Sequence, residues 1–136
     1  MGQQQLLLII LVTIIVGIAT VVAINTFSSA SNSANVDAVR QDLLSMASTA
    51  QQYYMKPDMM GGGGNSFSKI SMDDLNCSGT VNSGTCTNQN GSYTISTAGT
   101  ATEVDLKGQP ANAGGSVIIK VYADSAQMQD YTPPTN

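Results

Sequence analysis

The side chains able to do chemistry in this sequence are few and widely spaced. Cys77 and Cys86 enclose eight residues of a Gly/Ser/Thr/Asn-rich segment. Two thiols without a histidine supply at most half of a zinc site, and no nearby cation in sequence would favour a thiolate. For a chain exported past a membrane, the pair is expected to form a disulfide closing this short loop. Such a bridge stabilises a short loop by ~2–3 kcal/mol. Asp73-Asp74 followed by Asn76 offers oxygen ligands, but not at the spacing of a calcium loop, and reads as a solvated turn. Gly61-Gly62-Gly63-Gly64 lacks the Lys-Ser/Thr of a phosphate-binding loop and reads as a flexible connector. Tyr53 and Tyr54 end an apolar stripe, where packing is the simplest role. There is no His and no Trp, and Glu103 is the only Glu. His-based acid–base pairs and nucleophilic triads are thereby excluded. No catalytic, cofactor or metal site is expected, and the chain does not read as an enzyme.

The 136 residues carry 5 Lys/Arg against 9 Asp/Glu, a charged fraction of 10%, where a soluble domain has roughly 25%. The net charge of −4 and the scattering of the five cations leave no basic patch to neutralise phosphates, so no dedicated nucleic-acid site is expected. The charges are also unevenly placed. Residues 1–36 carry none, and within them residues 6–24 (LLLIILVTIIVGIATVVAI) are interrupted only by Thr13, Gly17 and Thr20. As a helix this run covers about 28 Å, close to the hydrocarbon thickness of a bilayer. A helix that is apolar all round must be buried in lipid or in protein, and the hundred residues that follow are too few to enclose it. A cleavable secretory signal needs a cationic flank and a shorter apolar core; Met1-Gly2-Gln3-Gln4-Gln5 contains no cation. A single-pass anchor fits the length, with no basic flank to set its orientation. Burial against copies of the same segment also fits.

Beyond the small polar stretch of residues 26–34, the pattern becomes amphipathic. Val36, Val39, Leu43, Met46, Ala47, Ala50 and Tyr54 recur at spacings of three and four, with Asp37, Arg40, Gln41, Ser48 and Gln51 between them, the helical period. Asn35 would cap this helix if the chain breaks there; otherwise one helix runs from about Gln3 to Met55, ended by Lys56-Pro57. Residues 65–91 are polar and turn-rich. Three strand-like runs follow at 92–97, 102–106 and 117–123, the first two joined at Ala98-Gly99-Thr100 by what suits a tight hairpin. Gly108, Pro110 and Gly114-Gly115 fall in the second connection, and the tail with Pro133-Pro134 should be extended. The expected class is α+β: a long N-terminal helix (residues 1–35 a hydrophobic spine) and a head (36–136) whose small antiparallel sheet packs on the helix's C-terminal half.

An uncharged spine, an amphipathic half-helix, a Gly-rich loop, a small sheet and a late Cys pair together resemble a type IV pilin or pseudopilin. The resemblance spans the whole architecture, and its specific part is residues 6–24 with the helix continuing to Tyr54. It implies a subunit held in the cytoplasmic membrane before assembly and packed with its copies into an extracellular filament afterwards, with partners limited to other copies, the membrane and a pilus assembly machinery. The implied filament core is Gln3, Gln4, Gln5, Leu6, Leu7, Leu8, Ile9, Ile10, Leu11, Val12, Ile14, Ile15, Val16, Gly17, Ile18, Val21, Val22 and Ile24. Gly17 would lie where members of the family often melt a few helical residues. Such filaments serve adhesion, motility, DNA uptake or secretion. The chain departs from the family in having Gln5 where a Glu is usual, and shows no basic leader ending in Gly, unless Met1-Gly2 is a remnant of one or the sequence is already that of the processed chain. Three amides at the head of an apolar helix would hydrogen-bond across neighbours at ~0.6–2 kcal/mol each, a neutral rather than ionic lock. The alternative expectation is a membrane-tethered monomer whose head loops, residues 61–91, bind a ligand.

Overall fold

The computed structural model describes residues 2–135. They form one helix, α1 (Gly2–Met55), two 3-10 turns (Asp58–Met60 and Met72–Leu75) and six strands: β1 (Thr80–Asn82), β2 (Thr85–Thr87), β3 (Gly91–Thr97), β4 (Glu103–Pro110), β5 (Val117–Tyr122) and β6 (Ala126–Met128). The chain divides into two compact units, Met1–Ser33 and Ala34–Asn136. The first is the N-terminal part of α1 alone.

The helix does not break at Asn35. Instead of capping an N-terminus, Asn35 uses both ends of its amide within the second unit. Its Nδ2 donates to the Asn90 carbonyl (2.8 Å), and its Oδ1 accepts from the backbone N–H of Asn112 (2.9 Å). The following turns bury Val36, Val39, Leu43, Met46, Ala47, Ala50 and Tyr53, at the three- and four-residue spacing expected of one helix face. Tyr53, not Tyr54, completes that stripe. Tyr54 is half-buried and lies against the Phe67 ring with centroids 4.8 Å apart.

The glycine run is a fitted cap rather than a loose connector. Gly63 N–H donates to the Tyr53 carbonyl (2.8 Å), Gly64 N–H to Lys56 (3.0 Å) and Asn65 N–H to Tyr54 (2.8 Å), so these carbonyls at the end of α1 find partners outside the helix. A side chain at Gly63 would run into the Ser66 carbonyl and come within 2.9 Å of the Tyr53 ring, which explains the glycine there.

The sheet is an antiparallel meander in the order β1-β2-β3-β4-β5-β6. Its three central strands fall near the sequence-based positions, while β1, β2 and β6 were not expected: they have three residues each and no apolar alternation long enough to read. β4 runs on through Gly108 to Pro110 instead of ending at Leu106, because Gly108 and Lys107 pair with Val117 and Ile118. The β3–β4 connection spans 98–102 and follows a register shift at Ile95/Thr97, so it is not a tight turn. The tail, too, is partly tied down, with Ser116 and Thr132 exchanging backbone hydrogen bonds at 2.8 Å each.

Alternate residues of the sheet face α1. Tyr93, Val104, Leu106, Val117, Ile119 and Val121 are buried against the helix stripe, and Phe67, Ile70, Met72 and Leu75 close the core from the connecting loops. At Gly108 β4 lies close against the helix: a Cβ there would sit 2.5 Å from Val39 Cγ1 and 3.2 Å from Leu43 Cδ1. On the opposite face Lys120 Nζ lies 3.4 Å from Glu103 Oε1 and 3.8 Å from Asp105 Oδ1. Asp105 is its direct cross-strand partner, and the Asp105 and Glu103 charges hold the lysine above its ordinary pKa. Opposite charges in register help fix the β4–β5 pairing.

Candidate functional site

The feature of the first unit that demands an explanation is its surface. Every Leu, Ile and Val between Leu6 and Ile24 is exposed, at 54–67% of its full area. The apolar part of α1 has a mean hydropathy of 3.2, and none of it is buried within the chain. A monomeric soluble protein rarely leaves so large a contiguous apolar surface bare. The three threonines do not give this surface a polar face. Thr13, Thr20 and Thr26 each donate their hydroxyl to the carbonyl four residues earlier (Ile9, Val16 and Val22) at 2.7, 2.7 and 2.9 Å, leaving only methyl groups outward. Gly17 lies mid-segment with open space where a side chain would be, so nothing inside this chain requires a glycine there. Gln3, Gln4 and Gln5 occupy the first turns of the helix and are exposed. The sequence-based core residues therefore share one continuous helical segment, uncovered on all sides by the chain itself.

The second unit contains a polar centre that sequence reasoning missed. Asp42 lies between the core positions Val39 and Leu43, and its Oδ2 accepts three hydrogen bonds: from Asn90 Nδ2 (2.9 Å), Asn88 Nδ2 (3.0 Å) and the Tyr93 hydroxyl. Asn88 in turn uses its Oδ1 to accept the backbone N–H groups of Asn90 (2.9 Å) and Gly91 (3.1 Å), which shapes the β2–β3 connection. Burial alone would raise the pKa of the Asp42 carboxyl, but the bonds from Asn90, Tyr93 and Asn88 outweigh it and hold the group below its ordinary value. Burial and the adjacent Asp42 together push the Tyr93 phenol well above the usual tyrosine range. A carboxylate held charged and a phenol held neutral are poorly matched to proton transfer near neutral pH. Their arrangement instead pins helix to sheet.

Cys77 and Cys86 are joined in a disulfide, with Cα atoms 6.4 Å apart, within the usual span of such bonds. Cys86 is buried on β2 and packs on the core, so the bridge ties the loop after the Met72–Leu75 turn to the sheet. Of the neighbouring acid pair, Asp74 serves local structure. Asp74 Oδ2 accepts from the Ser71 backbone N–H (2.9 Å) and hydroxyl (2.8 Å), forming a capping box.

No family model matches this chain, and no characterised protein or solved structure is significantly similar to it. The fold is α+β, with a six-stranded antiparallel sheet on the C-terminal half of one long helix. Its apolar N-terminal helix, sheet and disulfide are compatible with a pilin-like subunit and with a membrane-anchored domain.

Proposed function

We propose that this chain is the structural subunit of an extracellular helical filament of the type IV pilus kind, assembling through its N-terminal helix and performing no catalysis. The observation that carries the reading is the apolar segment itself: about one bilayer thickness long, without a polar face, and uncovered, beside a head that already has a complete core. Before assembly the membrane would cover it. Fourteen Leu, Ile and Val side chains lie between Leu6 and Ile24, and at roughly 0.3–0.6 kcal/mol each near a bilayer centre they favour insertion by about 4–8 kcal/mol. After assembly the spines of other copies would replace lipid. The bare backbone at Gly17 supports this, since small residues let apolar helices approach closely. Gln3, Gln4 and Gln5 would then set the axial register through neutral amide hydrogen bonds between neighbours, in place of an ion pair. The partners in this reading are copies of the chain, the membrane and an assembly machinery.

The same length and hydropathy also support a second reading, a single-pass anchor carrying an extracellular binding domain. Shearing the cells that make the protein, without detergent, and examining the released material by negative-stain electron microscopy separates the two. Filaments built of this chain support the first reading. A protein found only as monomers in the membrane fraction overturns it in favour of the second.

A further inference from the structure

Asn76, Cys77 and Ser78 form an Asn-x-Ser triplet, the acceptor pattern for N-linked sugars in proteins that leave the cytoplasm. Such a triplet is common by chance, so its setting decides its meaning. Asn76 closes the Met72–Leu75 turn with φ 39°, in the left-handed region, and is exposed, as are Ser78, Gly79 and Thr80 after it. The Asn76 amide, unlike those of Asn35, Asn88 and Asn90, takes no part in the hydrogen bonds between helix and sheet. The disulfide at the central residue of the triplet places the segment in an oxidising compartment. A second triplet, Asn90-Gly91-Ser92, differs in its burial and its bonds. Asn90 is half-buried, its Nδ2 is held by Asp42 at 2.9 Å, its carbonyl accepts from Asn35 and Ala111, and Gly91 and Ser92 lie in β3.

We propose that Asn76 is an N-glycosylation site, modified from a lipid-phosphate-linked sugar donor on the non-cytoplasmic side of the membrane, and that Asn90 is left unmodified. In the transfer, Asn76 Nδ2 forms a bond to the anomeric carbon of the donor sugar while the bond from that carbon to the lipid phosphate oxygen breaks. The phosphate leaves with the electron pair, and Nδ2 gives up one of its two protons. Ser78 supplies the hydroxyl by which an acceptor triplet is recognised. The inference rests on the outward compartment implied by the disulfide and is independent of whether the subunits polymerise.

The test uses full-length protein isolated from its native cell surface. Trypsin releases residues 70–107 as one peptide containing both triplets and both cysteines, and mass spectrometry with electron-transfer fragmentation assigns any added mass. The expected result is a sugar mass on Asn76 and none on Asn90. The added mass should be lost in Asn76→Gln and in Ser78→Ala, and kept in Ser78→Thr and in Asn90→Gln. An unmodified wild-type peptide overturns the proposal, as does an added mass that survives Asn76→Gln, which fragmentation would place on Asn90 or on a hydroxyl instead. Occupancy is read per peptide recovered, so a weakly expressed variant still reports.

Discussion

Removing the carboxylate of Asp42 should destabilise the head without touching its apolar core. In Asp42→Ala three donors lose their acceptor. The Tyr93 ring is fully buried, so its stranded hydroxyl should cost about 1–3 kcal/mol. Asn88 and Asn90 are only half-buried, so water can replace the lost acceptor and each adds under about 1 kcal/mol. The expected total is about 2–4 kcal/mol, a fall in Tm of about 10–25 °C for a domain of this size. Near-UV circular dichroism of the tyrosines, followed on heating the full chain in detergent, measures it. Tyr93→Phe removes donor and acceptor need together, so adding it to Asp42→Ala should recover about 1–3 kcal/mol of the loss in a double-mutant cycle. The pH dependence carries a definite sign. The folded carboxyl lies below its ordinary 3.8, so its contribution is present above that value and is lost as pH falls through the folded pKa. The Tyr93 phenol is raised from 10.0, so its contribution is complete below pH 10 and declines as pH rises beyond it. Asp42→Asn should flatten the acid limb. A Tm for Asp42→Ala within about 2 °C of the wild type, or additive behaviour in the cycle, would refute the reasoning.

Other perturbations follow from the same structure. Ile14→Asp places a charge at mid-spine, where insertion scales assign about +2.5–3.5 kcal/mol in lipid and where a filament core offers no partner; filaments should vanish, and normal filaments by electron microscopy would remove the core assignment. Gly108→Ala forces a Cβ to 2.5 Å from Val39 and should cost about 1–3 kcal/mol, seen as a lower Tm; an unchanged Tm would show that the helix can withdraw freely. Unreduced protein should yield a 70–107 peptide lighter by two hydrogens than the dithiol form, and Cys77→Ser with Cys86→Ser should loosen residues 77–86 in hydrogen exchange while assembly persists. Free thiols in protein isolated without reductant would contradict the bridge.

The reach of the sequence can be judged element by element. The spine was legible because a run such as residues 6–24 needs no partner to declare itself: apart from Thr13, Gly17 and Thr20 every side chain is apolar, so no register or contact has to be known. The helix stripe from Val36 to Ala50 was legible for a similar reason, its period being a local property of the chain. At its end the period pointed to Tyr54, whereas Tyr53 is the buried one and Tyr54 lies half-buried on the Phe67 ring, a part of the chain that the period does not describe. The central strands showed themselves by alternation, whereas β1, β2 and β6 are too short to alternate and exist because neighbouring strands offer them unpaired backbone groups. Asp42 lay furthest from reach. In sequence it is a lone acid beside an apolar stripe, and Asn88, Asn90 and Tyr93 belong to an unremarkable polar segment 46 to 51 positions away. Only the packing of β3 on α1 brings three donors to one oxygen. Local periodicity and total apolarity are written into the chain, but pairing between distant polar groups is decided by the fold that brings them together.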